Sequence, residues 1–303
     1  MLGWIASKVF RYSDDRGTWQ DRYEYDCANQ DDYRRLMEST VRFREDIASC
    51  EDDMSRGRKH FTISGYCEIC KAQSTFTANY RHSWLENGRR VLNWREHLRC
   101  RTCGLNNRMR AALKRLVDLS PAGQVYLTEQ STPLFAAASR HLPRLHGSEF
   151  LRDGTPSGAT NKAGMRHEDV TCLTFARGSF DCIGTFDVLE HVPQYECAIS
   201  EFYRCLRPAG HLLTSIPFHL DFEATVTRAV VQLDGSIKHL LPPEIHGDPL
   251  DPAGVLCFHD FGWSFFEVLT QAGFRDAKML FYWSKRFAYL GGLQFLIHAR
   301  KPG

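Results

Sequence analysis

Residues 180–217 constrain the fold of this chain more than any other stretch. Phe180-Asp-Cys-Ile-Gly-Thr-Phe186 reads as a buried strand. Tyr195 to Leu206 has helical spacing, and Arg207-Pro208-Ala209-Gly210 closes that helix. His211 to Ile216 then reads as a second strand. Strand, helix and strand in alternation argue for a layered α/β sheet.

The surrounding sequence continues the alternation. Val125 to Thr128 is expected to be a strand, Pro133 to His141 a helix and Arg144 to Glu149 a second strand, with a short third strand over Asp169 to Leu173. Residues 222–241 read as a hairpin, Phe261 to Ala272 as a helix stopped by Gly273, and 275–283 and 292–300 as two final strands. Upstream, Ser120-Pro121-Ala122-Gly123 marks a domain boundary. Three domains are therefore expected: a helical extension over 1–60, with a helix from Asp31 to Cys50; a cysteine module over 61–119; and the α/β domain over 120–303.

Four of the eleven cysteines are spaced for metal. Cys67-Glu-Ile-Cys70 and Cys100-Arg-Thr-Cys103 are two Cys-x-x-Cys knuckles, 29 residues apart. Each knuckle places two sulfurs on one ion, and two knuckles complete a closed tetrahedral set. A closed set leaves no coordination position for chemistry, so the expected zinc is structural. The intervening loop contains Phe76, Tyr80, Trp84, Leu85 and Trp94, enough to fold as a small sheet over the metal. Asn106-Asn107 caps a helix beginning near Arg108. The other seven cysteines are scattered, and are expected to fill core space.

Charge is uneven. Residues 61–118 carry 11 basic and 4 acidic groups, a net +7 that the zinc thiolates would reduce to about +5. Such a surface suits an anionic partner, or is simply solvated. No apolar run approaches the ~18 residues of a membrane span, and Met1 to Phe10 is too short and mixed for a signal-peptide core. A cytoplasmic protein is expected.

Phe180-Asp-Cys-Ile-Gly-Thr-Phe-Asp-Val-Leu-Glu-His-Val192, followed by Leu206-Arg-Pro-Ala-Gly-His-Leu-Leu213, resembles the class I S-adenosylmethionine-dependent methyltransferases of the type 11-like group. The resemblance implies a Rossmann-like, seven-stranded, mostly parallel sheet, here preceded by a zinc-ribbon-like module. It implies S-adenosylmethionine held across the carboxyl ends of the strands. Glu129 would hold the amino acid end of the cofactor and Glu149, 20 residues on, the ribose. Asp169 with Val170 would contact the adenine, and Phe186 with Asp187 would line the site after strand four. One departure stands out: the first loop, Glu129-Gln-Ser-Thr-Pro133, has no glycine. Thr132 followed by Pro133 still makes a sound helix start.

His191 and His219 are the candidate catalytic bases, with His246 a further candidate. Asp187-x-x-Glu190-His191 is also similar to an acid-x-x-Glu-His metal motif of some RNA and quinone O-methyltransferases. The function expected is methyl transfer to an O or N nucleophile of a glycan or small molecule, because chains joining such a domain to a four-cysteine module resemble bacterial proteins of that kind. Two alternatives remain: a catalytically silent fold serving as a zinc-stabilised binding module, and a nucleic-acid methyltransferase gripping phosphates through the basic module.

Overall fold

The computed structural model describes residues 23–303 apart from 57, 87 and 88. The segment Met1 to Phe10, and with it the first 22 residues of the expected extension, lies outside the described residues. The chain forms two compact units. Of the described residues, one comprises 23–27, 31–115 and 279–296, and the other 28–30, 116–278 and 297–303.

The first unit begins with β1 (Tyr23–Cys27), α1 (Gln30–Ser39) and α2 (Val41–Ser55). A single helix was expected over Asp31 to Cys50, and the chain breaks it at Thr40. The Thr40 hydroxyl donates to the carbonyl of Leu36, which also accepts from the Thr40 amide, so one carbonyl is shared at the junction of the two helices. Then follow β2 (His60–Cys67), β3 (Ala72–Asn79), the hairpin β4 (Trp84–Glu86) and β5 (Arg89–Val91), the turn α3 (Trp94–His97) and β6 (Arg99–Cys100). Strands β2, β3 and β6 form the small sheet expected over the cysteines. Helix α4 (Asn107–Leu119) starts at Asn106, whose side-chain oxygen accepts from the amide of Met109.

The second unit is the α/β layer. It contains β7 (Val125–Leu127), α5 (Pro133–Ala138), β8 (Leu145–Gly147), β9 (Phe180–Phe186), α6 (Tyr195–Cys205) and β10 (Leu206–Ser215). Six short strands follow: β11 (Val226–Thr227), β12 (Ala229–Val231), β13 (Ile237–His239), β14 (Ile245–His246), β15 (Val255–Leu256) and β16 (His259–Asp260). Helix α7 (Phe265–Gln271) precedes β17 (Arg275–Ser284) and β18 (Tyr289–Arg300), of which residues 279–296 belong to the first unit.

The seven-stranded sheet has the order β1-β17-β18-β10-β9-β7-β8. Strands β8, β7, β9 and β10 are mutually parallel, while β10–β18 and β1–β17 are antiparallel. The fold is thus the expected α/β sheet with a parallel core, narrower than "mostly parallel" implies. One reason is the missing third strand. Asp169 Oδ1 accepts from both the amide and the hydroxyl of Thr171, closing a turn where a strand was expected. What survives of that strand is a parallel bridge between Glu149 and His167. The other difference is at Arg207-Pro208-Ala209-Gly210, which stays within β10 as a bulge. The register on β9 shifts between Leu206 and His211, and Ala209 takes a left-handed conformation.

Burial explains β9. Six of its seven residues are buried, with no alternation between faces, as a strand covered on both sides requires. It is central to the parallel core, and its carboxyl end delivers Phe186 and Asp187. No helix among the described residues is long and apolar enough to cross a membrane.

Candidate active site and metal centres

The loop after β7 is built without glycine because it needs no left-handed residue. No residue from Thr128 to Thr132 has positive φ. Polar contacts shape it instead. Glu149 Oε1 accepts from the amides of Gln130 and Ser131 and from the Ser131 hydroxyl, each at 2.7 Å. Gln130 donates to the carbonyl of Gly164 and accepts from the amide of Arg166. The Thr132 hydroxyl accepts from the amide of Phe135 and donates to Glu129, which is buried. The glycine that permits close approach lies on β8. A Cβ on Gly147 would sit 2.3 Å from the Phe135 ring and 2.8 Å from the carbonyl oxygen of Glu129.

The ends of the neighbouring strands are tied in the same way. The buried hydroxyls of Thr128 and Thr185 bond at 2.9 Å, joining β7 to β9. Asp187 has φ 55°, donates its amide to the carbonyl of Ser215, and accepts from the Ser215 hydroxyl at 2.8 Å. Aspartate is among the few side chains that tolerate this backbone region. Glu129, Glu149, Phe186 and Asp187 therefore all stand at carboxyl ends of the parallel strands. Asp169 and Val170 sit in the turn beyond the Glu149–His167 bridge. Beside them is Glu168, an acid the sequence did not single out. It is buried and held by Arg166, the Thr174 amide and the Thr174 hydroxyl.

The candidate bases separate. His219 is half-exposed, its ring stacked on Phe222 at 4.4 Å and its Nε2 3.9 Å from Asp260. His191 lies in a buried polar cluster with Glu190, His246 and Cys257. Asp187, by contrast, is turned to Ser215, so the Asp187-x-x-Glu190-His191 string does not act as one ligand set. Cys257 was assigned to the core on sequence grounds. It is buried, but its sulfur stands 3.2 Å from His246 Nε2. Burial raises its thiol, and the two histidines outweigh that and lower it. The Cys257 sulfur and the Glu190 carboxylate beside it push His246 up to about 11. No local spacing could have signalled this cluster, because its members come from three separate segments.

In the first unit the four predicted ligands converge. Cys67 and Cys103 sulfurs are 3.9 Å apart, and those of Cys70 and Cys100 are 3.8 Å apart. Tetrahedral zinc with Zn–S of ~2.3 Å has a sulfur–sulfur edge of about 3.8 Å. The residues present thus fit the ion. Both knuckles end alike, on a left-handed residue: Lys71 after Cys70, Gly104 after Cys103. The hydrogen bond from Cys103 lowers the Cys67 thiol to about 5, while burial pushes Cys70 up to about 12. Arg110 supports the module from α4. Its guanidinium is fully buried between the rings of Phe76 and Tyr289, and donates to the carbonyls of Phe287 and Ala288. Some of the module's positive charge is therefore used internally rather than presented to a partner.

The second unit thus has a parallel core, with acids at the carboxyl ends of its strands and a first loop held by polar contacts. Residues 103–214 match the family model described as "Methyltransferase domain", and the chain carries such a domain. No curated protein matches the sequence. Among solved structures the chain is similar to an S-adenosylmethionine dependent methyltransferase from Mesorhizobium loti, at 14% identity, covering 63% of this chain and 97% of that one, with a TM-score of 0.39. It is also similar to the 1,6-didemethyltoxoflavin-N1-methyltransferase of Burkholderia thailandensis, solved with 1,6-didemethyltoxoflavin and S-adenosylhomocysteine. There the identity is 18%, the coverage 64% and 78%, and the TM-score 0.37.

Proposed function

We propose that the second unit is an S-adenosylmethionine-dependent methyltransferase acting on an O or N nucleophile of a small molecule or glycan. The observation that carries this reading is Glu149. It stands two residues beyond β8 with one oxygen fastening the first loop, while Oε2 makes none of those bonds and would meet the ribose hydroxyls. Glu129 would hold the cofactor's amino group, and the turn at Asp169 and Val170 the adenine. Phe186 and Asp187 would line the site at the end of β9. Bound there, the cofactor supplies a methyl group activated by its sulfonium.

The chain's own contribution is then positioning and proton removal. We assign the base to His219, which is half-exposed, with Asp260 3.9 Å from its Nε2. His191, locked in its buried cluster, is not assigned proton transfer from the acceptor. The four-cysteine module is proposed to hold a structural zinc that sets the first unit's small sheet.

Calorimetry tests the reading directly. Saturable binding of S-adenosylmethionine supports it, and no binding at millimolar cofactor would leave the silent binding module as the function. Steep loss of RNA or DNA binding with added salt would favour the nucleic-acid reading instead.

A further inference from the structure

The small sheet of the first unit has one face open to solvent. Phe61, Phe76, Ala78 and Cys100 point inward and are buried, so the residues that alternate with them along β2, β3 and β6 point outward. The register sets Thr62 opposite Thr77, Ser64 opposite Thr75, and Thr77 opposite Arg99. Arg101 extends the third row, its amide donating to the carbonyl of Thr75. These six residues share a face of about 10 by 7 Å, and none of them is acidic. Thr62, Ser64, Arg99 and Arg101 are exposed. Among the described residues neither arginine pairs with an acid, and the hydroxyls of Thr62, Ser64 and Thr75 make no hydrogen bond.

Positive charge gathers beside this face. The rings of His82 and His97 stack at 5.3 Å. Burial, then the neighbouring His82, Arg99 and Arg81, lower the His97 ring, against an opposing pull from Glu96. Glu96 itself is engaged by Arg95, Arg108 and Asn106. Two residues on from His82, the Trp84 ring is half-exposed.

We infer that the outward face of β2, β3 and β6 docks an acidic glycan. The donor chemistry of the face selects it. A guanidinium only donates, and its fork matches a carboxylate or a phosphate. A hydroxyl both donates and accepts. A chain of phosphates could only accept, so it would satisfy the arginines and leave the accepting half of the hydroxyls idle. A glycan that carries acid groups answers both. Its carboxylates take Arg99 and Arg101, and its hydroxyls exchange hydrogen bonds with Thr62, Ser64 and Thr75. The two arginines stand two residues apart along the row, ~6.6 Å, which places their acids on neighbouring sugars. Trp84 adds an aromatic plate for the apolar face of a ring.

This deepens the glycan acceptor proposed above and rests on that reading for its part in methyl transfer. The face belongs to the first unit and the cofactor site to the second, so each is tested by its own ligand.

Affinity electrophoresis of the full chain tests the docking face, with polygalacturonate as the acidic glycan, dextran as a neutral one and polyuridylate as a phosphate chain. Polygalacturonate should retard the unaltered protein, and dextran should not. Arg99→Ala combined with Arg101→Ala should weaken the retardation about tenfold or more. Thr62→Val combined with Thr75→Val keeps every charge, and should still weaken it about threefold. Ser64→Ala, at an exposed position, replaces the threonine pair should that variant misfold. No retardation by polygalacturonate, or equal retardation by dextran, overturns the inference. So does binding that either double variant leaves unchanged, or retardation by polyuridylate alone. Calorimetry with S-adenosylmethionine on the same protein keeps the two readings apart. Cofactor binding without polygalacturonate binding sinks the docking face alone, and the reverse sinks the methyltransferase reading alone.

Discussion

Replacing Glu149 by alanine should separate the two tasks given to this side chain. Its Oε1 accepts three bonds at 2.7 Å, from the amides of Gln130 and Ser131 and the hydroxyl of Ser131. Bonds to a charged acceptor contribute ~1.5–3 kcal/mol each when buried, and these partly exposed donors would recover water, so about 1 kcal/mol each is the expected net loss. The first loop should therefore loosen by about 2–3 kcal/mol, with little change elsewhere. The cofactor would then have to order that loop as well as forgo the ribose contacts. A loss of 2–3 kcal/mol in binding corresponds to a dissociation constant roughly 30- to 150-fold weaker. Glu149→Gln, which keeps a neutral acceptor, should fall between. Calorimetry with S-adenosylmethionine reads the affinity, and amide exchange at residues 129–132 reads the loop. If Glu149→Ala binds within about threefold of the unaltered protein, Glu149 is not the ribose ligand.

Three further outcomes follow from the geometry. Glu51 in α2 is buried, and accepts from the Trp283 indole and the amides of Gly291 and Gly292. Glu51→Ala strands these donors and should cost about 3 kcal/mol or more in a urea titration. Burial already raises the Glu51 pKa, so Glu51→Gln should cost less, and equal losses would refute the account. Removing zinc with a strong chelator, or Cys100→Ser, should unfold β2, β3 and β6 while β9 and β10 retain exchange protection; an unchanged small sheet would show that the metal does not hold it. The bonds from Arg204 hold the Glu201 carboxyl below its usual range. Its contribution is therefore present above the ordinary carboxylate pKa and lost as pH falls through the lowered value. The stability gap between the unaltered protein and Glu201→Gln should be constant near neutrality and close in acid. A gap that grows in acid would reverse the sign.

Much of the arrangement is legible in the residues because its signals are local. A short, largely apolar run such as 180–186, closed by turn residues on both sides, reads as a buried strand. Two Cys-x-x-Cys pairs present two sulfurs each whatever the loop between them does, and the structure brings all four together. Thr132-Pro133 and Asn106 cap helices through bonds that span three residues. Even the glycine-free first loop is a local fact, although its meaning is not. Only the fold shows that Glu149 and Gln130 stitch that loop, and that the close approach falls to Gly147 on the next strand.

What tertiary structure alone decided are contacts between residues far apart in the chain. Asp187, Glu190 and His191 read as one motif because they are adjacent in sequence. The left-handed turn at Asp187 sends its carboxylate to Ser215, while Glu190 and His191 face His246 and Cys257. The expected third strand lost to an Asx turn at Asp169, a contest between two local preferences that pairing partners settle. Residues 279–296 belong to the first compact unit although they follow the methyltransferase segment. Sequence thus determined the elements and the metal set, through periodicity and spacing. The buried cluster around Cys257 depended on which strand ends meet, because a buried charge finds its partners in space rather than along the chain.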